Sequence, residues 1–160
     1  LTEVTHNLKK NYKKRRYFAN KITRIIIING HHGNIKALNN FEKKITNLSK
    51  RKFDVFIFSY WHFTTHEFDH AGFVETSLML AISKNVEMNL ARKGLITDGM
   101  SQKEIKRLGK LASESFPKIT KNGVWGDPTK ATKKEGQKIL DEIIENISKK
   151  CQTCLTERIS

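Results

Sequence analysis

The chain has 160 residues, of which 38% are hydrophobic and 29% are charged, a balance typical of one soluble domain. No apolar stretch approaches the ~20 residues that a membrane-spanning helix needs. The first 22 residues are polar and basic, so they lack the apolar core of a signal peptide. These features predict a cytoplasmic protein that has no membrane partner.

The net charge of +14 arises from 30 lysines and arginines set against 16 acidic residues. An excess of this size is found in nucleic-acid-binding proteins, and also in proteins whose helix faces are solvated by lysines. Net charge bears on solubility and on encounter with partners rather than on fold. Nucleic-acid binding is therefore the less favoured of the two interpretations.

The first half of the chain predicts a helix followed by a βαβ unit. Residues 1–20 carry apolar side chains at helical spacing, and residues 23–28 are a run of β-branched residues without alternation. Such a run indicates a strand buried on both faces, as in a parallel sheet. A second apolar run at 53–58 predicts another strand, and the helix between them would end near Ser49. The βαβ unit would span residues 23–58.

The second half of the chain predicts helices joined by loops. One helix would begin near Gly72 and reach Ala81, and residues 84–100 are typical of loop with short helical pieces. Two Ser/Thr-x-x-Glu capping boxes begin further helices, one over 101–112 and one over 132–149. With no internal repeat and no convincing domain boundary, residues 1–160 are predicted to form a single domain.

Five of the six histidines follow the two predicted strands. They are His31 and His32, then His62, His66 and His70. The carboxyl ends of parallel strands are where such sheets bind ligands, and neutral imidazole is a common metal ligand. Adjacent histidines point in different directions, so one of His31 and His32 would face the site. The alternative, that these are loop histidines bonded to the backbone, has equal weight.

His70 and Glu75 form a second candidate pair. His70 ends a polar loop, and Glu75 lies in the first turn of the next predicted helix, where the helix dipole stabilises a carboxylate. Glu75 is therefore either an N-terminal helix charge or a group that orients His70 or handles a proton. The spacing of 62, 66 and 70 does not predict a three-histidine metal site, because Thr64 and Thr65 make a continuous helix there doubtful.

The sequence gives only weak support for a nucleotide-binding, serine-hydrolase or zinc site. The glycines of 29–34 match neither a dinucleotide-binding nor a P-loop pattern, and no Gly-x-Ser-x-Gly elbow is present. Cys151 and Cys154 form one C-x-x-C without the second pair or the nearby histidine that a zinc site needs. We therefore expect two reduced thiols in a tail after the last helix.

Three ordered motifs together resemble those of the creatininase (creatinine amidohydrolase) family. They are NGHHGN at 29–34, HAGFVETSLML at 70–80 and GVWGDPTKAT at 123–132. The resemblance covers residues 22–148. It implies an α/β fold, a three-layer α/β/α sandwich with a mostly parallel sheet, that hydrolyses C–N bonds of small cyclic amides or formamides at a two-metal site.

The resemblance also implies roles for individual residues. The histidine of the NGH motif, a metal ligand in the family, corresponds to His31. The histidine that opens the HAG motif lies at the substrate and corresponds to His70, and the glutamate of ETS corresponds to Glu75. The implied cofactors are two divalent metal ions per intact site, Fe²⁺, Zn²⁺ or Mn²⁺. The implied partner is a small-molecule substrate, and the intact relatives are expected to be homo-oligomers.

Departures from the family pattern refine the expected substrate. Creatininase proper has an acidic ligand two places after the NGH histidine, where this chain has Gly33, so creatinine is disfavoured. The NGHxGN form and residues 93–111 are more similar to archaeal formamidopyrimidine deformylases of riboflavin and deazaflavin biosynthesis. Many relatives have Glu directly after HAG, where this chain has Phe73, which leaves the substrate open.

The family's first motif, Glu-x-His followed by Asp, supplies most of its metal ligands and has no counterpart here, since Glu3 and His6 are not spaced that way. We therefore expect the domain to be incomplete at its N-terminus, to bind metal weakly and to turn over little or no substrate. The alternatives are a cyclic-amide hydrolase, a non-catalytic subunit that completes another chain's sheet, and a basic nucleic-acid module.

Overall fold

The computed structural model describes residues 24–49, 54–67 and 69–156. The helix predicted within residues 1–20, together with Glu3, His6 and the first residue of the second predicted strand, lies outside these ranges. The chain divides into two compact units. Unit 1 comprises Leu1–His62 and Ile147–Ser160, and unit 2 comprises Phe63–Asn146.

Unit 1 contains two parallel strands, β1 (Arg24–Asn29) and β2 (Asp54–Ser59). Arg24 pairs with Asp54 at one end of the register, and Asn29 pairs with Ser59 at the other. Between the strands lie a 3₁₀ turn at His32–Asn34 and two helices, α1 (Ile35–Leu38) and α2 (Phe41–Ser49). The β-branched run 25–28 favours the extended backbone, and the intervening helices make the parallel crossover possible.

The strands are less buried than their composition predicts. Phe58 is buried, whereas Ile28 is 59% exposed and Ile25, Ile26 and Ile27 are half-buried. Full burial on both faces is therefore wrong for β1. Among the described residues no third strand pairs with β1 or β2, so each strand has one edge without a strand partner in this part of the chain.

The helix predicted between the strands is broken into two. α1 ends at Leu38, and Asn39 and Asn40 form a turn before α2 begins at Phe41. Asparagine side chains compete for backbone hydrogen bonds, which disfavours a helix interior. Leu38 and Phe41 flank the turn, and both are buried.

Unit 2 contains α3 (Phe73–Ile82), α4 (Gln102–Glu114) and the first part of α5 (Lys133–Thr156). The predicted capping box begins α4, because Ser101 Oγ accepts from Glu104 N and the Glu104 carboxylate accepts from Ser101 N. At the start of α5, Thr132 Oγ1 accepts from Glu135 N at 3.1 Å. No helix in the described part of the chain is long and apolar enough to cross a lipid bilayer.

The last helix is longer than predicted. α5 continues past residue 149 to Thr156, so Cys151 and Cys154 are free thiols within the helix and not in a tail. Cys154 is buried, as are Ile139, Ile143 and Ile147. These apolar residues recur at helical spacing, and the stripe they form extends to Cys154. Continuation of the stripe explains why the helix does not end at the predicted point.

Helices α3 and α5 touch at their backbones. A Cβ added to Gly136 would lie 1.7 Å from the Ser77 carbonyl oxygen, and Ser77 is fully buried. Ser77 Oγ also accepts from Thr132 N at 3.3 Å, just before α5 begins. Glycine is required at this crossing because any side chain would occupy the space of the α3 backbone.

Candidate functional site

In unit 1 the NGHHGN segment is organised by Asn29, whose side chain is almost fully buried at the end of β1. Its Oδ1 accepts from His31 N at 3.1 Å and from Asn34 Nδ2 at 3.3 Å. Its Nδ2 donates to Ser59 Oγ at 3.1 Å, across the carboxyl ends of both strands. Asn29 therefore fixes the backbone that presents His31, a role that sequence reasoning did not assign to it.

His31 caps the 3₁₀ turn that follows it. Its Nδ1 accepts from Gly33 N at 3.1 Å, and the residue is exposed. A Cβ added to Gly33 would lie 2.9 Å from His31 Cε1 and 3.0 Å from Nδ1. Creatininase proper has an acidic residue at this position. Here the His31 ring fills the space that a side chain at residue 33 would need. His31 is therefore a loop histidine bonded to the backbone, as one of the two interpretations expects, and its role as a metal ligand stays a prediction.

The other loop histidines contact aromatic rings. The His32 and His62 rings lie 5.7 and 5.8 Å from the Trp61 ring, centroid to centroid, in unit 1. In unit 2 the His66 ring lies 6.2 Å from that of Phe73, the residue that replaces the glutamate of many relatives. Residues 63–66 are bends and not helix, in keeping with the prediction that 62, 66 and 70 do not share one continuous helix.

In unit 2 the His70 backbone is held by the GVWGD segment. His70 N donates to Trp125 O at 2.9 Å and Trp125 N donates to His70 O at 2.8 Å. Trp125 is buried and also forms a bridge with Leu95. Two of the motifs that carry the family resemblance are therefore joined by main-chain hydrogen bonds at His70.

The structure brings His70 and Glu75 together. His70 Nδ1 lies 3.4 Å from Glu75 Oε2, and both side chains are half-buried. The same oxygen accepts from Ala71 N at 2.8 Å. Ala71 has a φ of +49°, a conformation that non-glycine residues rarely adopt and that often marks functional sites. Glu75 is thus both a first-turn helix charge and a contact of His70, and its role in orienting His70 or handling a proton stays a prediction.

An aromatic ring from a distant part of the sequence packs on His70. The Phe116 and His70 ring centroids are 4.6 Å apart in an edge-on arrangement. Phe116 begins the 3₁₀ turn Phe116–Lys118 that follows α4. Such edge contacts restrict the orientation of the imidazole. In the sequence Phe116 marks only a helix end, since nothing local signals its contact with residue 70.

Asp69 is a second group that sequence reasoning missed. Its Oδ2 accepts from Val74 N at 2.6 Å and its Oδ1 accepts from Glu75 N at 3.2 Å. Burial raises the pKa of the Asp69 carboxyl above 3.8, against the lowering effect of these two hydrogen bonds. The sequence did contain a signal for this role, because a carboxylate shortly before a predicted helix is a common helix cap.

The described residues do not fit a two-metal centre. Within residues 24–49, 54–67 and 69–156, no group of three or more His, Cys, Asp or Glu side chains is arranged to hold a metal ion. A histidine that binds metal through Nε2 usually donates from Nδ1 to an acceptor. His31 Nδ1 instead accepts from Gly33 N. Unit 1 holds His31 and unit 2 holds His70 and Glu75.

The family model for creatininase (creatinine amidohydrolase) matches residues 14–151. The chain belongs to the creatininase family. A curated relative, the mycofactocin precursor peptide peptidase of Mycobacterium ulcerans (strain Agy99), is 28% identical over 129 residues. That alignment covers 77% of this chain and 46% of the relative. This chain thus spans about half the length of the curated relative that it matches.

Solved creatininases share the fold. A crystal structure of creatinine amidohydrolase matches this chain with a TM-score of 0.63 at 18% identity. The match covers 90% of this chain and 61% of the creatinine amidohydrolase chain. A creatininase variant described as Zn-Zn type also has a TM-score of 0.63, covering 89% and 60%. The creatininase-like α/β class with a parallel sheet, expected from the sequence, is confirmed. The nearer likeness to formamidopyrimidine deformylases has no support in these matches.

Proposed function

We propose that this chain contributes the proton-handling pair of an amide hydrolase of the creatininase family. The observation that carries the proposal is the 3.4 Å approach of His70 Nδ1 to Glu75 Oε2 on a strained turn. Family membership supports C–N hydrolysis as the reaction class. The half-buried position of both side chains keeps the pair within reach of a substrate and partly shielded from water.

In the proposed reaction, water adds to the amide carbon and the C–N bond breaks to release an acid and an amine. With Nδ1 facing the carboxylate, His70 would present Nε2 to the substrate. The ring would stabilise the developing oxyanion or give a proton to the leaving nitrogen, and Glu75 would stabilise the imidazolium. Phe116 would keep the ring in that orientation. A two-metal centre would polarise the amide and activate the water, but the described residues do not supply it.

For the substrate we propose a formamide, a formamidopyrimidine ribonucleotide that releases formate. The support is the NGHHGN segment, in which Gly33 replaces the acid of creatininase proper and leaves room for the His31 ring. A peptide amide is the second candidate, because the curated relative is a peptide peptidase. Both candidates would use the same pair, since both require a proton for the leaving nitrogen.

The test compares the purified chain with its His70→Asn and Glu75→Gln variants in Zn²⁺, Mn²⁺ or Fe²⁺. Formate and new amines would be measured over long incubations with a formamidopyrimidine ribonucleotide, creatinine and short peptides. We expect little formate from the unchanged chain, and whatever rate is measured should fall by about 10²–10⁴-fold on loss of a general acid–base group. Glu67→Gln, an exposed glutamate of the same unit, is the control and should match the unchanged chain.

Two outcomes would count against this function. Hydrolysis equal in the unchanged chain and in His70→Asn would remove His70 from the reaction. Cleavage of peptides without formate release would replace the formamide with the peptide substrate.

We further propose that His31 binds a divalent cation only weakly in this chain. Ligation would compete with the hydrogen bond from Gly33 N to His31 Nδ1, because the ring must turn or change tautomer to bind metal through Nε2. Gly33 itself offers no side-chain ligand. Isothermal titration with Zn²⁺ should show weak binding that is reduced further in His31→Ala. Tight uptake of two ions per chain would contradict the proposal.

A further inference from the structure

The Asp69 carboxylate closes the turn that carries the candidate pair. It accepts from Val74 N at 2.6 Å and Glu75 N at 3.2 Å, two donors of the first turn of α3 that have no partner within the helix. The N-cap residue of α3 is Gly72, which has no side chain to provide a cap. Asp69 therefore performs the capping from three residues earlier in the chain.

The surroundings of Asp69 fit it closely. A Cβ added to Gly72 would lie 2.5 Å from Asp69 Oδ2 and 2.7 Å from Trp125 O. A Cβ added to Gly126, whose φ is +119°, would lie 3.3 Å from Asp69 Cβ. The glycine of the HAG motif and the glycine after Trp125 thus make room for one buried carboxylate. Larger residues at either position would push Asp69 away from α3.

Asp69 is connected to both members of the pair. It precedes His70 directly in the chain, and its carboxylate holds the backbone of Glu75. The Glu75 side chain then returns to Ala71 N at 2.8 Å and to His70 Nδ1 at 3.4 Å. The two carboxylates together accept from three backbone donors of one short turn. Loss of the first would release the backbone from which the second reaches His70.

We propose that Asp69 is a positioning residue, which sets the distance and orientation between His70 and Glu75 without touching the substrate. The role rests on the proposed function of that pair. It predicts that Asp69→Asn loosens the His70–Glu75 contact, because an amide NH₂ would oppose one of the two backbone donors that the carboxylate now binds.

The experiment is ¹⁵N and ¹³C NMR of the 160-residue chain, which needs no turnover. In the unchanged chain the amide signals of Val74 and Glu75 should titrate with the Asp69 carboxyl carbon, at a pKa above 3.8 because burial disfavours its ionisation. At a pH where the ring is neutral, the His70 ring nitrogens should show the Nδ1-protonated tautomer. In the acid range, their chemical shifts should change in the step in which Asp69 titrates. In Asp69→Asn both features should be lost.

The matched control is Asp127→Asn, which also removes a carboxylate that accepts a backbone N–H, that of Thr129 at 3.0 Å. It should leave the His70 ring signals unchanged. If His70 keeps its signals in Asp69→Asn, or shows no step with Asp69 in the unchanged chain, the positioning role is overturned. The measurement in the unchanged chain tests the role even if Asp69→Asn fails to fold. If the His70 signals follow Asp69 as expected but measurable hydrolysis is the same in His70→Asn as in the unchanged chain, the proposed function alone is overturned.

Discussion

At the scale of single residues, side-chain hydrogen bonds set the charge state of Asp127 in the GVWGDPTKAT motif. Asp127 Oδ1 accepts from Thr129 Oγ1 at 2.6 Å, and Oδ2 lies 3.1 Å from Lys93 Nζ. The hydrogen bond from Thr129, with a smaller effect of Lys93, lowers the pKa of Asp127 from 3.8 to about 2. The ionised carboxylate is therefore favoured in the folded state.

The lowered pKa predicts a pH dependence of stability. Because the folded pKa lies below the unfolded one, Asp127 stabilises the fold above pH 3.8 and the contribution is lost as pH falls toward about 2. Asp127→Asn should lower the free energy of unfolding at about pH 7 and flatten its fall between those pH values. Urea unfolding from about pH 2.5 to about pH 6 would measure this, with exposed Asp98→Asn as the control. Equal slopes in both variants would contradict the prediction.

The candidate site was predictable residue by residue only where a motif carried it. His31, His70 and Glu75 stand in short motifs, and the last two do meet in the structure. Asp69 was missed although a carboxylate shortly before a helix is a capping signal. Phe116 was missed because its contact with His70 depends on packing across many intervening residues. No local periodicity reports such contacts.

At the scale of elements, the backbone contact of α3 with α5 is the tightest helix packing described. Gly136→Ala should destabilise the chain by about 1–3 kcal/mol, a typical cost of overpacking, although alanine favours helix. The reason is that its Cβ would lie 1.7 Å from Ser77 O. Thermal or urea unfolding would measure the loss.

Gly109→Ala in α4 is the matched control for this prediction. Nothing lies within 4 Å of a Cβ added there, so the same substitution should stabilise by about 1 kcal/mol through helix propensity. The two variants should therefore move the unfolding midpoint in opposite directions. A shift of Gly136→Ala in the same direction as Gly109→Ala would show that the helices do not cross as described.

The two strands were predicted better from the sequence than the boundaries of the helices. The runs at 23–28 and 53–58 predicted β1 and β2 well because β-branched and aromatic residues favour strands locally. The break at Asn39 and the extension of α5 to Thr156 were missed. The asparagine pair and the apolar stripe that reaches Cys154 are both visible in the sequence. Whether such a signal breaks or extends a helix depends on which apolar residues find partners, and the sequence pattern does not give that information.

At the scale of the whole molecule, the family and its fold class were predictable because three motifs occur in order along most of the chain. The division into two compact units was not predicted, because no repeat and no Gly- or Pro-rich linker marks residue 62 in the sequence. His31 lies in one unit and the His70–Glu75 pair in the other. Variants of His31 therefore test the role of unit 1, and variants of His70 and Glu75 test the role of unit 2.

The net charge of +14, most of it in residues 1–62, predicts how the chain meets nucleic acid. If the lysines only solvate helix faces, the chain should bind duplex DNA loosely, because counterion release gives affinity without sequence preference. Fluorescence anisotropy with two duplexes of unrelated sequence should give equal affinities at about 0.02 M salt, and binding should largely vanish near about 0.15 M, where charges are screened. Tight binding to one duplex at the higher salt would favour the nucleic-acid module that the charge alone allows. Loss of binding to both would leave the charge as a surface property and the His70–Glu75 pair as the feature that bears the function.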